Sequence, residues 1–231
     1  MSAAGVKAAL KKLGDPTKAK GGAAFFKTGK GQYGEGDVFL GITVPDQRRV
    51  AKQFRTLGFG ELEKLLGSKI HEERLTALAV LVDQYELGAE KEVFDFYVAH
   101  LAGVNNWDLV DLSAHQIVGD YLLKRDRRLL FKLAKSRVLW ERRVAIVATY
   151  AFIRAGESKT TFEIADLLLE DAHDLIHKAT GWMLREVGKR VSEDALREYL
   201  EKRVSQLPRT ALRYAIERFP PDERKEWLAR P

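Results

Sequence analysis

The chain has 231 residues, 45% of them apolar and 31% charged, which excludes a disordered polar chain and suits a globular core under a charged surface. It holds 39 Lys and Arg against 33 Asp and Glu, a net charge of +6, and no Cys. Disulfides, thiolate nucleophiles and cysteine metal sites are therefore excluded, and a reducing compartment is favoured.

The charge is uneven. Residues 1–60 carry 11 Lys and Arg against 4 Asp and Glu, or +7, and the remaining 28 against 29 give −1. A basic end favours an anionic partner, nucleic acid ahead of membrane, with a merely soluble basic surface as the alternative. No run approaches the roughly 20 apolar residues of a membrane span, and the N-terminus lacks the long apolar run of a signal peptide. The expectation is a cytoplasmic protein, without a membrane partner, working as a monomer.

In chain order, Ala3 to Leu13 reads as a short helix. Lys18 to Asp37 is rich in Gly and Lys and reads as loop, with a helical piece around Ala24-Phe25-Phe26-Lys27. Gly29-Lys30-Gly31-Gln32-Tyr33-Gly34 fits G-x-G-x-x-G, but no strand leads into it and no α/β pattern follows, so a dinucleotide site is set aside. Pro45 opens a helix to about Leu57, with Asp46 in its first turn and Arg48, Arg49, Lys52 and Arg55 along it.

From His71 onward helical periodicity dominates. Strong amphipathic helices start near His71, Asn106, Trp140, His173 and Pro208, at intervals of 35, 34, 33 and 35 residues. Weaker ones lie between them, over Glu90 to Leu101, Arg127 to Ala134, Lys159 to Leu169 and Asp194 to Val204. One strong and one weaker helix per interval indicates stacked helix pairs, because a lone pair cannot bury its apolar face. The expected fold class is all-α, a HEAT-like helical repeat (α-solenoid) with a basic concave groove. It is expected as one domain over residues 1–231, with a basic N-terminal part (1–60) and regular helix pairs (61–231). Arg74, Arg142, Arg143, Lys178 and Arg209 lie near strong-helix starts and suggest a row of phosphate sites, or else scattered solvated cations.

Of five His residues, His173 and His177 have metal-ligand spacing, but no third ligand stands out and no metal is expected. No Ser elbow or Cys–His pair appears. Trp107 and Asp111, four residues apart, share a helix face. Arg143 follows in the next repeat, and Trp182 with Arg185 in the third. If the strong helices line one groove, these five face one ligand, and aromatic rings interleaved with Arg suit a nucleic-acid backbone.

W-D-x-V-D in a helix, a later W-x-x-R and a G-W-x-L-R-E further on resemble the AlkD-type DNA alkylation repair glycosylases. Phe39-Leu40-Gly41-Ile42 with Pro45 and Arg48-Arg49 resembles that family's N-terminal signature. The resemblance runs from about Phe25 to Phe219. It implies a HEAT-like array that excises N3- and N7-alkylated purines from duplex DNA by hydrolysis, without base flipping, metal or cofactor. It further implies Asp111 as the catalytic carboxylate, Trp107 and Trp182 beside the lesion's deoxyribose, Arg143 on a phosphate and Arg185 on the backbone. Phe25, Arg48 and Lys178 complete the expected DNA contacts. Asp108 is expected to serve the fold, as a cap or first-turn carboxylate. The sequence departs from the family pattern at Asn106, where a second aromatic is usual, at Phe25, which matches a Tyr, and in a longer Gly-rich stretch before Asp37. A DNA-binding relative without activity, preferring branched or distorted DNA, and a scaffold for protein partners are the alternatives.

Overall fold

The computed structural model describes residues 1–230. It is all-α: among the described residues the only β pairing is an isolated parallel bridge between Val38 and Ile70. The chain forms two compact units, Met1–Ser113 and residues 114–230.

The first unit contains α1 (Ala3–Lys11), α2 (Pro16–Phe25), α3 (Val44–Gln53), α4 (Phe59–Leu66), α5 (His71–Glu86), α6 (Glu90–Ala99) and nearly all of α7 (Trp107–Ala114). Helix α5 is the hub, with α1, α3, α4 and α6 packed on it. Its Leu75, Leu78 and Leu81 meet a core of Val6, Leu10, Val50, Leu62, Leu65, Val93 and Tyr97, all essentially buried. Burial of this apolar surface is the dominant favourable term.

The expectation of loop from Lys18 is corrected. Helix α2 starts at Pro16, because Asp15 accepts from Thr17 N (2.9 Å) and Lys18 N (3.2 Å) and proline presets the first turn. A cap and an N1 proline here outweigh the helix cost of Gly21 and Gly22. Helix α3 is shorter than expected, since the chain leaves helical geometry at Phe54 (φ −114°, ψ 20°).

The second unit opens with a π-helical segment (His115–Gly119) and α8 (Asp120–Leu122). It continues through α9 (Arg128–Ala134), α10 (Leu139–Ala148), α11 (Tyr150–Arg154), α12 (Lys159–Leu167), α13 (Asp174–Arg190), α14 (Glu193–Arg203), α15 (Arg209–Ala215) and α16 (Pro221–Ala229). Helix α13 is its hub, packed against α10, α12, α14 and α15. The expected strong starts fall within one residue of α5, α7, α10, α13 and α15.

Three strong helices are entered by one local device. Ser68 Oγ accepts from Ile70 N (3.0 Å), Ser136 Oγ from Val138 N (3.0 Å), and Asp171 Oδ1 from His173 N (2.9 Å). Six residues after each turn residue, a cationic or imidazole side chain donates back to its carbonyl: Arg74 to Ser68 O (2.7 Å), Arg142 to Ser136 O (3.0 Å), and His177 Nε2 to Asp171 O. Arg74 and Arg142 therefore brace their helix entries, and each also pairs with a carboxylate, Asp37 at 2.6 Å and Asp171 at 2.5 Å. His173 Nδ1 accepts from Leu175 N as the α13 cap.

Candidate functional site

The N-terminal turn of α7 is set by buried polar groups. Asn106, fully buried, accepts from Trp107 N through Oδ1 (2.8 Å) and donates through Nδ2 to Asp37 Oδ2 (3.2 Å). Asp37 also accepts from Arg74 (2.6 Å) and from His71 Nδ1 (3.1 Å). The other ring nitrogen of His71, Nε2, meets Asp108 Oδ2 at 2.8 Å, and Asp108 Oδ1 takes the Leu109 amide at 2.9 Å. Thus Asp108 is tied into the fold, as expected. Asn106, where the family pattern has an aromatic, is the polar link between α7 and the end of the Gly-rich loop.

His71 is only 2% exposed. Burial disfavours its cation, but hydrogen bonds to Asp108 and Asp37 and the Asp108 charge outweigh that, and its pKa is raised. Burial likewise works against the Asp37 carboxylate, and hydrogen bonds from His71 and Asn106 with the Arg74 charge prevail to lower its pKa.

Aromatic rings fix Trp107. Its indole stacks on Phe26 (5.2 Å, 16°) and meets Phe25 edge-on (5.8 Å, 73°). Phe26 stacks on Phe39 (5.0 Å), which stacks on the His71 ring (4.6 Å). Phe25 itself is 64% exposed, an apolar ring held at the surface beside Trp107. One turn on, Asp111 is half-buried, and its charge joins the effect of burial in raising the pKa of Tyr97. Tyr97 OH lies 2.9 Å from Ser113 Oγ, which donates to Leu109 O, so the inner face of α7 is fixed by hydrogen bonds.

The signature around Gly41 has a structural cause. The buried Glu72 carboxylate accepts the amides of Leu40 (3.0 Å), Gly41 (2.8 Å) and Ile42 (3.3 Å). Gly41 has φ +80°, and a Cβ there would lie 2.1 Å from Asp15 O. On α3, Arg48, Arg49 and Lys52 line a cleft of about 260 Å³ with Val44 and Pro45. Arg48 and Lys52 are exposed, and Arg49 pairs with Asp46 at 2.5 Å.

The second unit carries the other expected residues. Trp182 is half-buried, 6.3 Å from the ring of Tyr150, and Arg190 lies over Tyr150 at 5.3 Å. His115 packs edge-on against Tyr150, and burial with the Arg154 charge pulls its pKa down to about 4. Gly181, one residue before Trp182, is where α15 comes close: a Cβ there would lie 2.3 Å from Ala211 O. Arg143 is 5% exposed and donates to Leu175 O at 2.6 Å. Arg185 bonds Glu186 (3.1 Å) and Glu217, and Lys178 pairs with Asp174 at 2.7 Å. Sequence reasoning missed Tyr150, which shares its short helix with the buried Phe152. It also missed the Asp37–His71 link, since nothing local joins residues 34 apart.

The site is thus built on an all-α fold, with a half-buried carboxylate one turn after a Trp held by stacked rings. The pattern of the DNA alkylation repair enzyme family matches residues 6–219. The chain belongs to that family. It is also similar in structure to a protein of Enterococcus faecalis described as a predicted DNA alkylation repair enzyme, with a TM-score of 0.73 at 20% identity, over 90% of this chain and 98% of that one. No curated protein matches the sequence. Among the described residues no helix is long and apolar enough to cross a membrane, and no group of three His, Asp or Glu has the arrangement of a metal site.

Proposed function

We propose that the protein is a DNA glycosylase that hydrolyses the N-glycosidic bond of cationic N3- or N7-alkylated purines in duplex DNA, with Asp111 as its catalytic carboxylate. The observation that carries this reading is the outer face of α7, where the half-buried Asp111 follows by one turn a Trp107 held by Phe25 and Phe26. Membership of an alkylation repair family supplies the substrate class.

The chemistry follows from charge. An N3- or N7-alkylated purine is already cationic, so it leaves without protonation and takes the C1′–N bond pair with it. The developing charge is then on the sugar. A carboxylate stabilises such an oxocarbenium-like state, as in glycoside hydrolysis, and aromatic faces add to that through their π charge. Asp111 lies on a surface partly withdrawn from water, where an electrostatic term counts for more. Water adds to C1′ and loses a proton, giving the free neutral base and an abasic sugar. One carboxylate suffices because no leaving-group acid is required.

In this reading Trp107 and Phe25 meet the lesion strand from the first unit, and Arg48 holds a phosphate. Trp182, Arg185 and Lys178 meet DNA from the second unit. Arg143 is assigned to a phosphate and also to the first turn of α13, where its bond to Leu175 O belongs. An open aromatic surface suits recognition from the sugar–phosphate side without base flipping, with lability of the lesion as the selective feature.

The test is base release from methylated duplex DNA, measured as free 7-methylguanine and 3-methyladenine. The wild type should release both, and Asp111→Asn should be slower by roughly 100-fold, the scale of losing one preorganised electrostatic group. No release by the wild type, or undiminished release by Asp111→Asn, overturns the proposal.

A further inference from the structure

The chain after residue 60 sums to −1, but one stretch inside it departs from that balance. Residues 124–137 hold seven Lys and Arg against a single Asp, a local +6. They cover the turn after α8, helix α9 and the entry to α10. Helix α9 packs on α10 and α12, and its Leu130, Leu133 and Ala134 are buried. Arg128, Lys132 and Lys135, at steps of four and three, share its other face and are exposed. That stripe points away from α10, the helix that carries Arg143, and so stands outside the candidate site.

Pairing sets this stretch apart. On α6, α12 and α13 a Lys meets a carboxylate one turn away: Lys91 with Asp95, Lys159 with Glu163 and Lys178 with Asp174. On α9 the residue one turn before Lys132 is Arg128, a like charge that works against the helix. Arg127 and Arg128 do have carboxylates, Glu157 and Asp126, each at 2.5 Å. Lys124, Lys132, Lys135 and Arg137 are exposed and meet no carboxylate among the described residues. The backbone under the last of them is braced. Arg142 donates to Ser136 O (3.0 Å) and Arg137 O (3.1 Å), and Ser136 Oγ accepts from the Val138 amide at 3.0 Å.

The surface chemistry narrows the partner. Its one large exposed apolar side chain is Val138, too little for insertion into a lipid surface or for the apolar centre of a protein interface. Repeated cations without base-reading groups fit a row of phosphates. Membership of a DNA alkylation repair family supplies a polyanion of that kind. We propose that residues 124–137 form a second duplex-DNA surface, with Lys124, Lys132, Lys135 and Arg137 on phosphates, so that one molecule holds two duplex segments at once. The proposal rests on DNA as the partner and not on the glycosylase chemistry.

The number of duplexes bound per protein tests it. The probe is an unmodified fluorescent duplex of about 12 base pairs, far below the roughly 150 base-pair persistence length, so one copy cannot bend round to a second face. Sedimentation velocity of the full-length protein at about 50 mM salt should count two duplexes per protein. Four phosphate contacts give a log–log salt slope of about −3.6, so the second duplex should bind roughly 100-fold more weakly at about 200 mM salt. Lys124→Gln, Lys132→Gln, Lys135→Gln and Arg137→Gln together should lower the count to one. The thermal midpoint and base release from methylated duplex should stay at their wild-type values. Arg in place of the three lysines should keep the count at two. If the fourfold variant fails to fold, Lys132→Gln with Lys135→Gln carries the same test. One duplex per wild-type protein, or two on the Gln variant, overturns the proposal. So does binding to phosphatidylserine vesicles that the Gln substitutions abolish while the duplex count stays the same, which assigns the surface to lipid. A count that falls from two to one in a protein that releases no base removes the glycosylase reading alone.

Discussion

Asp37 is the residue on which the entry to α7 most depends, and Asp37→Ala is the sharpest perturbation of it. The carboxylate is 7% exposed and serves three partners: Arg74 at 2.6 Å, His71 at 3.1 Å and Asn106 at 3.2 Å. Removing it leaves the Arg74 guanidinium, whose side chain is 3% exposed, without its carboxylate in the interior. Breaking a buried pair by deleting one partner costs about 3–5 kcal/mol, chiefly the uncompensated charge left behind. At this chain length each kcal/mol moves the midpoint by roughly 2–4 °C, so the thermal midpoint should fall by about 10 °C. Circular dichroism at 222 nm through a thermal ramp at neutral pH measures it. Asp37→Asn keeps the shape and an acceptor and should fall by less. Base release should fall in Asp37→Ala even below its midpoint, because Asn106 and His71 position Trp107 and Asp108 on α7. A midpoint shift under about 2 °C in Asp37→Ala would refute the claim that this network carries the α7 entry.

Three further outcomes follow from the same geometry. The His71 cation is favoured in the folded state, so its contribution is full below its ordinary value of 6.5 and drains as pH rises through the raised folded value; Asp37, lowered from 3.8, contributes above that value and loses its contribution as pH falls through the folded one. Urea midpoints should therefore decline on the alkaline side of 6.5 in the wild type, and His71→Gln should flatten that decline. Arg48→Ala should weaken duplex DNA binding and reduce the salt slope by about one phosphate contact, whereas Arg74→Ala should lower stability and leave the slope of the folded protein unchanged; fluorescence anisotropy across salt concentrations separates them. Gly41→Ala should destabilise by at least about 2 kcal/mol in urea unfolding, because φ is +80° and the new Cβ would overlap Asp15 O.

The repeat was legible because hydrophobic periodicity and interval length are local properties. His71, Trp107, Leu139, Asp174 and Arg209 open helices close to where the pattern places them. Helix α2 was not legible to propensity alone, because two glycines mask a start that Asp15 and Pro16 specify. The π-helical segment after α7 left no sequence sign, since an inserted register costs no change in apolar order. At the site, Trp107 and Asp111 could be placed on one helix face by spacing alone. The ring stack under Trp107 could not, because Phe26, Phe39 and His71 come together only through the turn at Gly41 and the Glu72 carboxylate that holds it.

The cations near helix starts show why charge position alone misleads. Arg74 and Arg142 stand 68 residues apart, and His177 follows Arg142 by 35, about two repeat lengths and then one. Each occupies the fourth position of its helix and donates to the carbonyl six residues back. A cation there works against the helix dipole, which made a phosphate ligand attractive as an explanation. The braced linker supplies another cause, since the carbonyl and the paired carboxylate offset the unfavourable placement. Cations that neither brace a turn nor pair inside the fold are then the better DNA candidates, and Arg48 and Lys52 on the exposed face of α3 meet that condition. The basic N-terminal end and the bracing arginines Arg74 and Arg142 are thus two separate uses of charge, and the bracing pair carries no information about a polyanionic partner.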